Sequence, residues 1–459
     1  MPLPIVAIVG RVNVGKSTLF NRLVGHRVAV VEDFPGVTRD RLYARGELVN
    51  RPVMFIDTGG MVGAEGDPLI SEVNDQAVEA LREADVLVVL VDGREGITAH
   101  DHEIAQIVRR SGKPHVLAAN KMERPSSDSY DFYALRLGEP IDISAEQGFG
   151  VVDLEDEILD LLPPEEEEEE RREGEIAIAV VGRPNAGKSA LINAILGQKR
   201  LIVNEMPGTT RDAVDTWAQY EGRPIRIVDT AGLRRKGKRS QGTEFFSSLR
   251  TLRALERADI ALVVVDSTEG MTAQDARVAL EAHDMGRAVI VVCNKWDLVL
   301  NTAFPDDEEE PLTEAQRKRH LKLIWDDFQR LARHELPFLA YAPLLKTCAL
   351  TGEGVEQILP LCREVFDQYD RRIETGQLNR CIRRAVANHQ PPSKAGRPLR
   401  ILYATQVSTR PPTIVVFVSD AKIMHFSYER YLLNSIREEF GFEGTPLKLI
   451  VRGRKEKDE

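Results

Sequence analysis

The chain has 459 residues, 42% of them hydrophobic and 29% charged, and a net charge of −11. At about 100–200 residues per domain this predicts about three globular domains, with cores large enough to need no metal or disulfide staple. Four scattered cysteines with no CxxC pair argue against a zinc site and fit a reducing cytosol, and no apolar run approaches the ~18 residues of a membrane helix.

The N-terminus, MPLPIVAIVGR, has no basic leader region. Its short apolar stretch reads as a first strand, not a signal peptide. GRVNVGKS (Gly10–Ser17) follows, matching GxxxxGK[ST] between a strand and a helix. Gly10 and Gly15 let the backbone approach phosphates, and successive amides with the helix N-terminus attract the anion. Lys16 is expected to reach the outer phosphates and Ser17, followed by Thr18, to ligate Mg²⁺. Thr38, in FPGVTRD, lies where a mobile loop closes a hydroxyl on Mg²⁺, and Asp57 and Gly60 form a DxxG. There the carboxylate holds the metal through water and the glycine amide senses the γ-phosphate.

Apolar runs at Val53–Ile56, Val86–Val91 and Val116–Ala118 are continuous, as in strands buried on both faces. HDHE (His100–Glu103) reads as a solvated helix start or, alternatively, a metal site. Asn120, Lys121 and Glu123 form NKME, a variant of NKxD. In that motif the aspartate accepts two hydrogen bonds from guanine, which adenine cannot supply. Ser144-Ala145 is expected to offer an amide to the guanine oxygen. PPEEEEEERREGE (Pro163–Glu175) reads as a solvated linker or an acidic contact with a basic partner.

The sequence then repeats itself. GRPNAGKS begins at Gly182, MPGTTRD holds Thr210 and DTAG begins at Asp229, each offset by 172 from its first counterpart. Gly187, Lys188, Ser189 and Ala190 take the places of Gly15, Lys16, Ser17 and Thr18, and Gly232 that of Gly60. NKWD supplies Asn294, Lys295 and Asp297, and Cys348-Ala349 replaces Ser144-Ala145. Strands are expected at Ile225–Val228, Ile260–Val265 and Val289–Val292. An insertion of roughly 30 residues carries DDEEE (Asp306–Glu310) and an amphipathic helix around Arg317–Leu331. LRRKGKR (Leu233–Arg239), after DTAG, is read as a basic segment that moves with nucleotide state or a solvated loop. Where many GTPases place glutamine after DxxG, this chain has Met61 and Leu233, so something else must order the attacking water.

After Phe366 the order becomes α-β-β-α-β: helices at about 378–389 and 428–440, strands at about 400–406, 413–418 and 447–452. From Arg371 onward there are 17 basic and 9 acidic residues, a net of +8, which leaves −19 for the rest. A basic tail on an acidic body points to a polyanion. Arg380, Arg383, Arg384, Lys394, Arg397 and Arg400 are the candidate RNA contacts, a plain solvated basic face being the alternative.

The fold expected is α/β: two tandem P-loop G domains, each a mainly parallel sheet with helices on both faces, plus a small C-terminal α/β domain. Boundaries fall at 1–162, 163–175, 176–367 and 368–459. Two G domains with GRxNxGKS, PGxTRD, DTxG and NKx[DE], then a basic α/β domain, resemble the Der (EngA) family, the bacterial double GTPases of ribosome assembly. The resemblance covers nearly the whole chain. It implies a KH-like C-terminal domain without the usual GxxG loop, and the region after residue 366 is read as having none. It also implies GTP hydrolysis at both sites, with Lys16, Thr38, Lys188 and Thr210 as the catalytic residues. Mg²⁺ would sit at Ser17, Thr38, Asp57, Ser189, Thr210 and Asp229. Stimulation by K⁺ is implied too, with Asn13 and Asn185 of the phosphate loops as ligands. Implied partners are the large ribosomal subunit and its RNA, with the protein a cytoplasmic monomer that meets no membrane. Departures from the family pattern are Val12 for proline, Glu123 for aspartate and Cys348 for serine. An RNA-binding scaffold with one mainly structural G domain is the competing reading; a P-loop kinase or ATPase disagrees with NKWD and DTAG.

Overall fold

The computed structural model describes residues 3–25, 43–49, 51–58, 84–123, 127–164, 171–198, 200–203, 215–230, 244–303, 313–394 and 397–453. Thr38, Gly60, Met61, Thr210, Gly232, the basic run 233–239 and the acidic run 306–310 lie outside the described residues. Two compact units form. One carries a six-stranded sheet, the other a seven-stranded sheet together with a C-terminal three-stranded layer.

In the first unit the strands are β1 (Ile5–Val9), β2 (Tyr43–Leu48), β3 (Arg51–Asp57), β4 (Val86–Asp92), β5 (His115–Asn120) and β6 (Pro140–Asp142). Their spatial order is β2-β3-β1-β4-β5-β6, parallel except for the β2–β3 hairpin. All seven residues of β4 are buried, because helices cover both faces. Each fully buried Val, Leu or Ile there contributes about 1.5–3 kcal/mol. Helices α1 (Lys16–Val24), α2 (Ala99–Ser111) and α3 (Val151–Leu161) connect the strands. Thr98 and Asp101 cap α2 reciprocally, so His100–Glu103 is the first turn of a capped helix.

The second unit repeats this frame with β7 (Ile176–Val181), β8 (Leu201–Val203), β9 (Thr216–Tyr220), β10 (Arg223–Val228), β11 (Ile260–Asp266), β12 (Ala288–Asn294) and β13 (Leu344–Lys346). The order is β13-β12-β11-β7-β10-β9-β8, parallel except for the β10–β9 and β9–β8 pairs. Its helices are α4 (Lys188–Leu196), α5 (Glu244–Arg257), α6 (Ala273–Asp284), α7 (Trp296–Ala303), α8 (Glu314–Glu335) and α9 (Ile358–Tyr369). The inserted helix, α8, is held by aromatic contacts: Trp325 and Phe328 meet Trp296 edge-on, at 5.0 and 5.3 Å between ring centroids.

In the C-terminal layer, α10 (Thr375–Asn388) and α11 (Phe426–Phe440) pack on one face of a sheet. A two-residue hairpin, β14 (Ser393–Lys394) and β15 (Arg397–Pro398), precedes the sheet strands β16 (Ile401–Thr409), β17 (Pro412–Val418) and β18 (Lys448–Gly453). β16 and β17 are antiparallel, β17 and β18 parallel.

One expectation is corrected here. Gly441-Phe442-Glu443-Gly444 is a GxxG string, lying between α11 and β18. It cannot clamp a nucleic-acid backbone as a KH loop does, because it is already used inside the unit. Phe442 is fully buried, the Gly444 amide donates to the Tyr341 carbonyl at 2.9 Å, and the Gly444 carbonyl accepts from the Val289 amide at 2.7 Å. Arg437 completes the junction by donating to the Phe442 and Thr445 carbonyls, each at 2.6 Å.

Candidate functional site

Both sheets bring the motif residues to the carboxyl ends of their parallel strands, where ligands of open α/β sheets bind. Register does this directly. Ile8 pairs with Asp57 across β1–β3 and Asp92 with Asn120 across β4–β5. In the second sheet Asp266 pairs with Asn294 across β11–β12.

Each phosphate loop wraps around its own lysine. Lys16 Nζ donates to the Gly10 and Arg11 carbonyls at 2.8 and 2.6 Å, and Lys188 Nζ to those of Gly182 and Arg183 at 2.6 Å each. Burial holds Lys16 below the ordinary lysine pKa, with the Asp57 charge opposing the shift. Gly15 and Gly187 have φ of +97° and +96°, and a Cβ on either would collide with the amide nitrogen of Asn120 or Asn294. Asn13 and Asn185 also adopt left-handed backbone, φ 67° and 66°, which asparagine tolerates better than most residues. That is a reason for asparagine independent of any ion.

The base-end asparagines are cross-braces. Asn120 donates to the Val14 carbonyl at 2.7 Å and accepts the Ala145 amide at 2.9 Å. Asn294 donates to the Ala186 carbonyl and accepts the Ala349 amide, both at 3.0 Å. Phosphate loop, NKx[DE] loop and alanine loop are thereby fixed as one piece in each unit. Cys348 leaves this frame intact because its backbone makes the bonds that Ser144 makes: Cys348 accepts from the Gly352 amide at 2.9 Å, as Ser144 does from Gly148 at 2.7 Å.

Ser17 Oγ donates to Asp57 Oδ2 at 2.6 Å, so two hard oxygens converge beside the phosphate loop. That donor set suits Mg²⁺. Asp229, the counterpart of Asp57, has φ +56° and its amide is bonded to Asp215 Oδ1 at 3.0 Å.

Several site residues escaped the sequence reading. Asp92 and Asp266 each hold the lysine of NKx[DE] at 2.5 Å. Burial alone would raise the Asp92 carboxyl, but the Lys121 hydrogen bond and the amides of Arg94 and Glu95 keep it below the ordinary value. Asp266 is depressed likewise, through Lys295 and Thr268. Both aspartates recur at an offset of 174, the signal that would have found them. Arg11 and Arg183 are anchored to Glu95 and Glu269. Arg94 lies across the first base loop, donating to the Lys121 carbonyl at 3.2 Å and to Glu123 at 2.9 Å.

Among the basic candidates of the C-terminal layer, Arg380, Arg383 and Arg384 are exposed on α10, with Arg384 paired to Glu439, and Arg400 is exposed before β16. Lys394 and Arg397 belong to the β14–β15 hairpin. No helix among the described residues is long and apolar enough to cross a membrane.

Two phosphate loops on parallel sheets, each braced to a guanine-type base loop, define a P-loop GTPase with duplicated G domains. A family model described as "50S ribosome-binding GTPase" matches residues 5–121 and again 177–295. Another, "KH-domain-like of EngA bacterial GTPase enzymes, C-terminal", matches 372–452. GTPase Der of Moorella thermoacetica is 49% identical over 460 residues, covering all of both chains. GTPase Der of Geobacillus kaustophilus is 48% identical over 458 residues, 99% of this chain and all of that one. A crystal structure of an Aquifex aeolicus Era variant with GDP and aluminium fluoride covers 56% of this chain and 88% of its own, at 25% identity and a TM-score of 0.31. The chain belongs to the Der family, and it is a GTP-binding, GTP-hydrolysing enzyme.

Proposed function

We propose that this GTPase is a ribosome biogenesis factor acting in maturation of the large subunit, with nucleotide state setting its domain arrangement and its affinity for ribosomal RNA. Residues 1–162 and 176–367 serve as the G domains, 163–175 as the linker and 368–459 as the KH-like domain, in a cytoplasmic monomer. The observation that carries the reading is the duplicated brace, in which Asn120 and Asn294 lock phosphate loop to base loop at near-identical distances. That both copies keep this brace supports two working sites over a scaffold with one mainly structural G domain. Exposed Arg380, Arg383 and Arg400 support an RNA-facing C-terminal layer.

At each site Lys16 or Lys188 turns from the loop carbonyls to the outer phosphates. Ser17, Thr38 and Asp57, and in the second copy Ser189, Thr210 and Asp229, would hold Mg²⁺, and the ion would supply positive charge beside the transferred phosphoryl group. Gly60 and Gly232 sense the γ-phosphate. Asn120, Lys121, Glu123, Ser144 and Ala145 form the first base site, and Asn294, Lys295, Asp297, Cys348 and Ala349 the second.

K⁺ would supply the remaining positive charge, with Asn13 and Asn185 as the residues that would hold it. Turnover should then rise when Na⁺ is replaced by K⁺ at constant ionic strength, and Asn13→Asp or Asn185→Asp should blunt that response. Losing a charge of this kind costs about 10³-fold, as for an arginine finger. Equal turnover in the two salts rejects the ion. The functional reading is tested by sedimentation. The protein should pellet with large subunits when loaded with a non-hydrolysable GTP analogue and not with GDP, in a steeply salt-dependent manner. Indifference to nucleotide would refute it.

A further inference from the structure

Beneath the second site lies a set of buried charges that the mechanism above does not use. Asp215 comes five residues after Thr210, just before β9, and its side chain is only 3% exposed. Both of its oxygens are engaged. Oδ1 accepts the Asp229 amide at 3.0 Å and Arg257 Nη1 at 3.3 Å; Oδ2 accepts Arg257 Nη2 at 2.7 Å, with Arg226 Nη1 at 3.6 Å. Arg226, on β10, forms a second ion pair, Nε to Glu175 Oε1 at 2.8 Å, between side chains 8% and 3% exposed. Glu175 ends the segment joining the G domains. Arg172 of that segment covers the Trp217 ring at 4.2 Å, and Arg226 faces the same ring at 5.6 Å.

Two carboxylates and two guanidiniums thus make a neutral buried set, and it meets the catalytic motif at the Asp229 amide. That residue is held with φ +56°, a region uncommon outside glycine. The first copy offers the control. At the positions matching Glu175, Asp215 and Arg226 it has Leu3, Tyr43 and Met54, and there Asp57 continues β3 in extended conformation. Where the carboxylate is absent, so is the left-handed aspartate.

We propose that Asp215 is a positioning residue of the second site. Its carboxylate fixes the backbone of Asp229, and through Arg226 and Glu175 it ties that aspartate to the segment between the two G domains. The proposal rests on the reading of Asp229 as part of the second GTP site. It predicts that Mg²⁺ use there depends on a residue that touches neither metal nor nucleotide.

The test uses full-length protein carrying Lys16→Ala, so that turnover reports the second site. Asp215→Asn keeps an acceptor for the amide but removes the charge that aligns it between two arginines. Glu175→Leu/Arg226→Met replaces an ion pair by the first copy's apolar residues and strands no charge. Hydrogen exchange at the Asp229 amide is measured without nucleotide, and the Mg²⁺ concentration for half-maximal turnover is measured separately from KM for GTP. Asp215→Asn should speed the exchange about 10-fold and raise the Mg²⁺ requirement about 10-fold, the size of one charge-assisted contact, with KM for GTP little changed. The double variant should shift both in the same direction by less. Wild-type exchange and Mg²⁺ requirement in Asp215→Asn would overturn the proposal, as would equal effects on KM and Mg²⁺. If Lys16→Ala alone removes all GTP binding, the reading of the second site fails instead, and the exchange measurement still decides the role of Asp215.

Discussion

At the base end of the first G domain Arg94 grips Glu123 at 2.9 Å, whereas the second has Thr268 in that place, bonded at 2.6 Å to Asp266, and no cation beside Asp297 among the described residues. Beneath the aspartate of DxxG the contrast reverses. The second domain carries the buried set around Asp215, and the first has apolar Leu3 and Met54. Between these extremes the two are nearly superposable in their bonds: lysine to loop carbonyls, asparagine to phosphate loop, aspartate to lysine. What strand register and tight turns determine has been kept in both copies, and divergence has gone into side chains at the two ends of the nucleotide site.

The comparison is broken most decisively by silencing the copies one at a time. Lys16→Ala and Lys188→Ala should each lower single-turnover hydrolysis at their own site by about 10²–10³-fold, as for loss of one transition-state donor. The residual rates of the two variants should together account for the wild-type rate. One variant that abolishes all hydrolysis would mean a single working site.

Next comes the base. With Lys188→Ala blocking the second site, Glu123→Asp should tighten GTP by about 10–150-fold if the extra methylene weakens a charge-assisted contact. GTP and XTP titrations of the two proteins would detect it, and identical affinities would show that the longer chain is accommodated.

Acid should separate the two units. His283, on α6, bonds Tyr341 at 2.8 Å; burial, with the charges of Arg437 and Lys448, lowers its pKa to about 4 from 6.5. Below pH 6.5 the unfolded chain takes up this proton first. The stability that neutral His283 contributes is therefore complete above 6.5, shrinks as pH falls and is lost near 4. By pH 5 about 2 kcal/mol should be gone. Asp92 and Asp266, both depressed, lose their contribution only at lower pH and in both units alike. Calorimetry from pH 7 to 5 should lower the transition of the second unit more than that of the first, and His283→Gln should remove the difference.

The smallest effect is expected at Arg94. Its pair with Glu123 is exposed, and such pairs contribute at most about 1 kcal/mol. Arg94→Ala should change first-site GTP affinity by no more than about 5-fold; a larger change would make the arginine part of base recognition.

The motifs were legible because their chemistry is local. A glycine at φ +97° and a lysine one residue later must be neighbours in sequence, and repetition at a fixed offset removed the ambiguity of each short string. The alternation of buried strands and helices was legible from continuous apolar runs such as Val86–Val91. Asp215 could not be read this way, since its meaning comes from Arg257, Arg226 and Asp229, all distant in sequence. β8 has only three residues, too few for a pattern. The GxxG string of Gly441–Gly444 went unread in the sequence, and burial of Phe442 excludes it as a nucleic-acid loop.

The aromatic packing around Trp296 has an optical consequence. The sequence contains three tryptophans, Trp217, Trp296 and Trp325, and all belong to the second unit. Trp296 immediately precedes Asp297 of NKWD and lies against the inserted helix through Trp325, while Trp217 is flanked by Arg172 and Arg226. Excited on its indole band, the native protein therefore emits from the second unit only. A change in emission as GTP is added reports the surroundings of the second unit's indoles, and Lys188→Ala separates the part that comes from that unit's own site.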